Sequence, residues 1–159
     1  MSSWIFARVA FYPSLLWGIA TESSTKRWYD RIDTHVLLGA LPFKSQTKEE
    51  WENWGVTQLH LPTVDFNNAP SQEMLRRGVE FIEEMNQNQN SVYVHCKAGR
   101  GRSATLATCY VMKAKKLSPM DAHQYIKSKR PHILIASRQW DAIELFYKNL
   151  LDQDHCNAT

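Results

Sequence analysis

From Val92 to Lys116 the chain passes without a gap through an apolar run, Val92-Tyr-Val94, a loop with two glycines, His95 to Ser103, and a stretch rich in helix formers, Ala104 to Lys116. A strand, a tight loop and a helix in that order constrain the fold more than any other feature, because the helix must return over the sheet that the strand joins. Other segments follow the same alternation. His35-Val-Leu-Leu-Gly39 reads as a short buried strand ended by glycine and Pro42, and Val56 to Leu61 as another. Thr47-Lys-Glu-Glu50 has the capping-box form, which predicts a short helix running toward Trp54 and stopping at Gly55. Pro70 and Ser71 open a helix to about Met85, with Met74, Leu75, Val79, Ile82 and Met85 on one face. Ser118-Pro119 starts a helix that ends before Pro131, and Ser137 caps a last one through about Leu150, with Trp140, Ile143 and Phe146 or Tyr147 inward. The expected class is α/β, with a short, largely parallel central sheet flanked by helices.

At 159 residues and 43% hydrophobic content the chain is one globular domain's worth of protein. Its three cysteines, Cys96, Cys109 and Cys156, include no C-x-x-C pair, which excludes a disulfide framework and a zinc knuckle and fits a reducing compartment. No cluster of His and carboxylates stands at ligand spacing, so neither a metal nor another cofactor is expected. A net charge of +3 does not call for nucleic acid, yet it is unevenly spread: residues 97–130 carry nine basic residues against the single acid Asp121, net +8, and the remainder is −5. An anionic ligand is therefore expected to meet the second half of the chain, although Lys113, Lys115 and Lys116 also read as a solvated helical face.

Trp4 to Ala20 is apolar but holds Arg8 and Pro13, and with that charge and proline inside it sits at the lower edge of the roughly 17 to 25 residues that a membrane span needs. It reads as an organelle-targeting segment, a membrane-surface segment, or a helix packed on the domain. The expected organisation is an N-terminal apolar segment over 1–27, a domain over 28–151 and a polar tail over 152–159.

The loop His95-Cys96-Lys97-Ala98-Gly99-Arg100-Gly101-Arg102-Ser103 has the make-up of an oxyanion cradle. Its glycines let successive backbone N–H groups turn inward, and the following helix adds its positive end. Arg102, six positions after Cys96, brings a planar guanidinium opposite the sulfur, where it can hold two phosphate oxygens. The same fields stabilise a thiolate, which makes Cys96 a candidate nucleophile. Ser103 can hydrogen-bond the sulfur and help it leave, and His95 can order the loop. Cys109 reads as a core residue. Expulsion of an alcohol from phosphorus needs a proton, for which Asp65, in a short loop after the Val56 to Leu61 segment, is the candidate; an ordinary turn or capping aspartate is the alternative.

The string from His95 to Thr105 resembles the signature of cysteine-dependent dual-specificity phosphatases, and the chain is most similar to the branch that acts on phosphatidylglycerophosphate in mitochondria. Arg8 to Leu16, Trp28 to Asp33, Val36 to Pro42, Thr63-Val-Asp65 and Arg130-Pro-His-Ile133 are similar to that branch as well. The resemblance implies a dual-specificity-phosphatase-like fold, with Cys96 as nucleophile, Arg102 as phosphate clamp, Asp65 as general acid and the backbone of Lys97 to Gly101 as the cradle. It implies removal of the terminal phosphate of an anionic phospholipid, phosphatidylglycerophosphate, at a membrane surface, the matrix face of the mitochondrial inner membrane, as a step toward cardiolipin. A dual-specificity protein phosphatase and a non-catalytic phospho-ligand binder are the alternatives. Against the family pattern about two dozen residues are absent between Pro42 and Trp51, enough for one βα unit, and Gly101 stands where a larger residue is common.

Overall fold

The computed structural model describes residues 27–42, 47–63 and 68–157. Its sheet has three strands in the order β1 (Tyr29–Arg31), β2 (Val36–Gly39) and β3 (Val92–His95). β1 and β2 pair antiparallel, with Tyr29 opposite Gly39, and β2 and β3 pair parallel, with Gly39 opposite His95. The turn between β1 and β2 is fixed by Asp33, whose carboxylate accepts the N–H groups of His35 and Val36, each at 2.9 Å. The β2–β3 crossover carries α1 (Lys48–Asn53) and α2 (Gln72–Gln87), and α3 (Arg102–Lys115), α4 (Pro119–Lys129) and α5 (Ser137–Asn157) follow β3.

Local signals account for most helix starts. Thr47 and Glu50 form the reciprocal capping box, and Gly55 beyond α1 has φ +72°. Ser71 accepts the Met74 N–H at α2, and Ser118 accepts the Asp121 N–H with Pro119 in the first turn of α4. At α5 the expected cap is displaced by one residue: Ser137 lies inside the helix, and Gln139 Oε1 accepts the N–H of Ala136 at 3.0 Å. That helix also runs past Leu150 to Asn157, because nothing in Asp152 to Asn157 breaks it.

The core is built around α3, in which every residue from Ser103 to Met112 except Leu106 is buried. It packs against α2, α4, α5, β2 and β3, so its apolar body fixes the depth at which its N-terminus meets the loop after β3. Leu75, Val79 and Ile82 of α2 and Ile143 and Phe146 of α5 close the core, each such side chain contributing about 1.5–3 kcal/mol.

Val56 to Leu61, expected to be a strand, belongs to no sheet. A strand is held by a ladder partner, and β3 pairs only with β2 among the described residues. Leu61 packs instead over Gly78 of α2, its Cδ1 3.0 Å from where a Cβ on that glycine would stand. Arg130 departs from expectation differently. Counted in the sequence with the basic stretch 97–130 that is expected to meet an anionic ligand, it is 1% exposed and ion-paired with buried Asp30 of β1 at 2.6 Å. Removing one member of such a pair costs about 3–5 kcal/mol, because the other charge is left buried alone.

Candidate active site

Cys96 follows directly on β3, at the carboxyl end of the parallel pair, where loops of α/β sheets gather ligand sites. Its Sγ accepts a hydrogen bond from Ser103 Oγ at 3.2 Å, and the backbone N–H groups of Ser103 and Arg100 also point to it. Burial by itself pushes the thiol up. The Ser103 hydroxyl and amide, the Arg100 amide and the charge of Arg102 outweigh burial and hold Cys96 below the usual thiol range. A larger thiolate fraction than an ordinary cysteine carries is the consequence, and the thiolate is the nucleophilic form. Cys109, in the body of α3, has only its own backbone amide to set against burial, which pushes it up. Cys156 is exposed on α5.

The loop keeps its shape because its carbonyls are bonded on the outside. Lys97 O accepts from Leu41 N at 3.2 Å, Arg100 O from Leu134 N at 2.9 Å, and Gly101 O from Thr105 N at 2.8 Å and Thr105 Oγ1 at 3.1 Å. A trans peptide directs its C=O and the following N–H to opposite sides, so the N–H groups of Ala98, Gly101 and Arg102 turn away from these partners, toward the hollow of the loop. Gly99 is required where it stands: φ is +64°, and a Cβ would collide with the Gly39 backbone. Gly101 is confined by a side chain, since a Cβ there would lie 3.1 Å from Gln139 Oε1 and 3.2 Å from Leu134 O.

Arg102 opens α3, and its Nη1 donates to Thr63 O at 3.0 Å. His95 stacks on Tyr93 with ring centroids 5.5 Å apart, and a hydrogen bond ties it to the Cys96 backbone; burial lowers its pKa against that bond. Tyr93 donates its hydroxyl to Ala40 O, and burial pushes its pKa up to about 12. The expected residues Cys96, Arg102, Ser103 and His95 thus come together with the Lys97–Gly101 loop. Asp65 lies outside the described residues. Thr63 before it is held by Arg102, and Asn68 after it gives its carbonyl to Gln139 Nε2 at 3.2 Å.

The basic stretch does not form one surface. Lys97, Arg100 and Arg102 are on the loop, Arg130 is buried, and Lys115 and Lys129 lie over the Tyr125 ring at 5.0 and 5.7 Å. Lys113 pairs with Glu83 at 2.7 Å. At 1.5 Å per residue, the far end of α3 is about 20 Å from the loop, so the lysines there belong to a different face. Sequence reasoning passed over Thr63, Leu41, Gln139 and the Asp30–Arg130 pair as parts of the site. Thr63, Leu41 and the pair stand in stretches that resemble the family, Thr63-Val-Asp65, Val36 to Pro42, Trp28 to Asp33 and Arg130-Pro-His-Ile133, while Gln139 left no signal.

Residues 33–149 match the dual specificity phosphatase catalytic domain. The chain belongs to that family. This dual-specificity phosphatase is 37% identical to the Rattus norvegicus protein phosphatidylglycerophosphatase and protein-tyrosine phosphatase 1, over 94% of the chain and 95% of the rat protein. Their alignment runs over 183 positions, more than the 159 residues of the chain, in keeping with a unit missing here. The Arabidopsis thaliana phosphatidylglycerophosphate phosphatase PTPMT1 is 35% identical over 94% of the chain, which spans about half, 52%, of that protein. Among solved structures, PTPMT1 in complex with PI(5)P is similar with a TM-score of 0.77 and 34% identity, over 80% of the chain and 99% of that structure. Family membership makes the dual-specificity phosphatase a cysteine-dependent enzyme.

Proposed function

We propose that this phosphatase hydrolyses phosphatidylglycerophosphate to phosphatidylglycerol through a phosphocysteine at Cys96. The observation that carries the chemistry is the Cys96 sulfur, held by Ser103 and loop amides at the positive end of α3 with Arg102 beside it. Support for the lipid substrate comes from the relatives named for it, one of them 37% identical along 95% of its length.

In this reading the loop amides of Lys97, Ala98, Gly99, Arg100 and Gly101 and the Arg102 guanidinium bind the three terminal phosphate oxygens. The Cys96 thiolate attacks phosphorus; the S–P bond forms as the P–O ester bond breaks, and Asp65 gives its proton to the departing glycerol oxygen. Water then attacks phosphorus, the Asp65 carboxylate takes its proton, and the S–P bond breaks to return the thiolate, steadied by the Ser103 hydroxyl. The enzyme works in this reading at the matrix face of the mitochondrial inner membrane, with the apolar segment from Trp4 to Ala20 as its targeting or membrane-associating part. That segment lies outside the described residues, among which no helix is long and apolar enough to cross a membrane.

Phosphate release from phosphatidylglycerophosphate in vesicles, set beside release from tyrosine- and threonine-phosphorylated peptides, tests the substrate. Faster turnover of the peptides would overturn the lipid assignment in favour of a protein phosphatase. What supports Asp65 as the acid is its neighbour Thr63, whose carbonyl takes a hydrogen bond from Arg102. Protonation matters most for a poor leaving group, so Asp65→Asn is expected to slow hydrolysis of an alkyl phosphate about a hundredfold and that of p-nitrophenyl phosphate far less. Equal losses on the two substrates would assign Asp65 a structural part.

A further inference from the structure

Arg130 is the bulkiest of the fully buried side chains, and the short segment it opens straps the outside of the catalytic loop. Its Nε donates to Gly99 O at 2.8 Å, His132 O accepts from Arg100 Nε at 2.9 Å, and Leu134 N donates to Arg100 O at 2.9 Å. The first of these contacts acts on the peptide between Gly99 and Arg100. Drawing the Gly99 carbonyl outward turns the Arg100 N–H inward, and that N–H is one of the two backbone donors at Cys96 Sγ. Gly99 cannot hold the peptide in this orientation unaided, because a residue without Cβ has little steric preference between backbone states.

The other side of the guanidinium is fixed to β1. Nη1 donates to Asp30 Oδ2 at 2.6 Å and to Arg27 O at 3.0 Å, and Nη2 to Trp28 O at 3.4 Å. A planar fork pinned along one edge leaves Nε–H a single direction, toward Gly99. Lysine has no donor partway along its stem, so it cannot keep its head on Asp30 and still bond Gly99.

We propose that Arg130 is a positioning residue of the catalytic loop, setting the Gly99–Arg100 peptide so that the Arg100 N–H is aimed at the nucleophile and the phosphate it attacks. The inference rests on the phospho-Cys96 reading, and it adds to that reading a residue that never touches substrate. Asp30 serves the loop only through Arg130.

The test is the pH profile of Cys96 alkylation by iodoacetamide, followed on the Cys96 peptide by mass spectrometry because Cys156 is also exposed. It is measured on Arg130→Lys, Asp30→Asn and the unaltered chain, in sucrose, which favours folded states, with fold checked by circular dichroism. His95, Lys97, Arg100, Arg102 and Tyr93, the titratable groups on the loop and beside it, are the same in all three. Arg130→Lys is expected to slow alkylation about tenfold at a fixed pH below the half-point, the effect of a tenfold smaller thiolate fraction, and to lower kcat/KM on p-nitrophenyl phosphate by a similar factor. Asp30→Asn keeps a side-chain oxygen for Nη1 and leaves the Arg27 and Trp28 carbonyls in place, so the fork stays aimed at Gly99; having lost the buried ion pair, this variant should melt at a lower temperature but keep the unaltered profile. A folded Arg130→Lys with an unshifted profile would overturn the proposal, as would a shift in Asp30→Asn equal to that in Arg130→Lys. The parent reading fails by a different sign: an unaltered chain whose Cys96 reacts only in the ordinary thiol range.

Discussion

Replacing Cys96 by serine is expected to reduce phosphate release by about 10⁴-fold or more while phosphate still binds. Oxygen can accept the Ser103 hydrogen bond as sulfur does, but the donors that lower the Cys96 pKa are far too weak to ionise an alcohol. Loss of a nucleophile in enzymes with covalent intermediates typically lowers kcat by this order or beyond. Binding should survive because the outward-bonded carbonyls of Lys97, Arg100 and Gly101 do not depend on the residue at 96. Single-turnover phosphate release and equilibrium binding of inorganic phosphate or tungstate measure the two properties separately. Release by Cys96→Ser within tenfold of the unaltered chain would sink the covalent mechanism.

For Arg102→Lys the expected loss is about 10²–10³-fold, the scale on which removal of one oriented donor to a developing charge is felt. The change keeps the positive charge, so long-range attraction of the phosphate should persist. What disappears is the fork: Nη1 donates to Thr63 O, and in the proposed reaction the planar guanidinium is the group that would present parallel donors to two phosphate oxygens. An ammonium can keep the Thr63 bond or meet the phosphate, without presenting two parallel donors. The loss should fall mainly on kcat, since charge alone still gathers the ground-state ligand. Rates near those of the unaltered chain would place the clamp elsewhere.

The parts of this fold that could be read from the sequence are those fixed by near neighbours. Thr47 with Glu50, Ser71 and Ser118-Pro119 each start a helix through contacts three residues long, and Cys96, Arg102 and Ser103 lie within one turn of a strand–loop–helix unit. Val56 to Leu61 has the alternation of a strand but lacks a paired neighbour, which no window of six residues can reveal. The same holds for Arg130, whose partners Asp30 and Gly99 are 100 and 31 positions away. A composition count treats its charge as solvent-facing, whereas the fold buries it. β1 escaped notice for a related reason: three residues with only Asp30 buried carry no periodic signal.

The narrow space beside Gly101 ties its identity to that of a residue on another helix. Gln139 fills that space, and its amide is committed on both sides, accepting from Ala136 N and donating to Asn68 O. A larger side chain at 101, of the kind common in the family, would press on an amide that cannot yield without releasing the start of α5 and the chain just after Asp65. Packing therefore couples positions 101 and 139 across two helices: side-chain bulk gained at the first has to be met by a shift or a loss of bulk at the second.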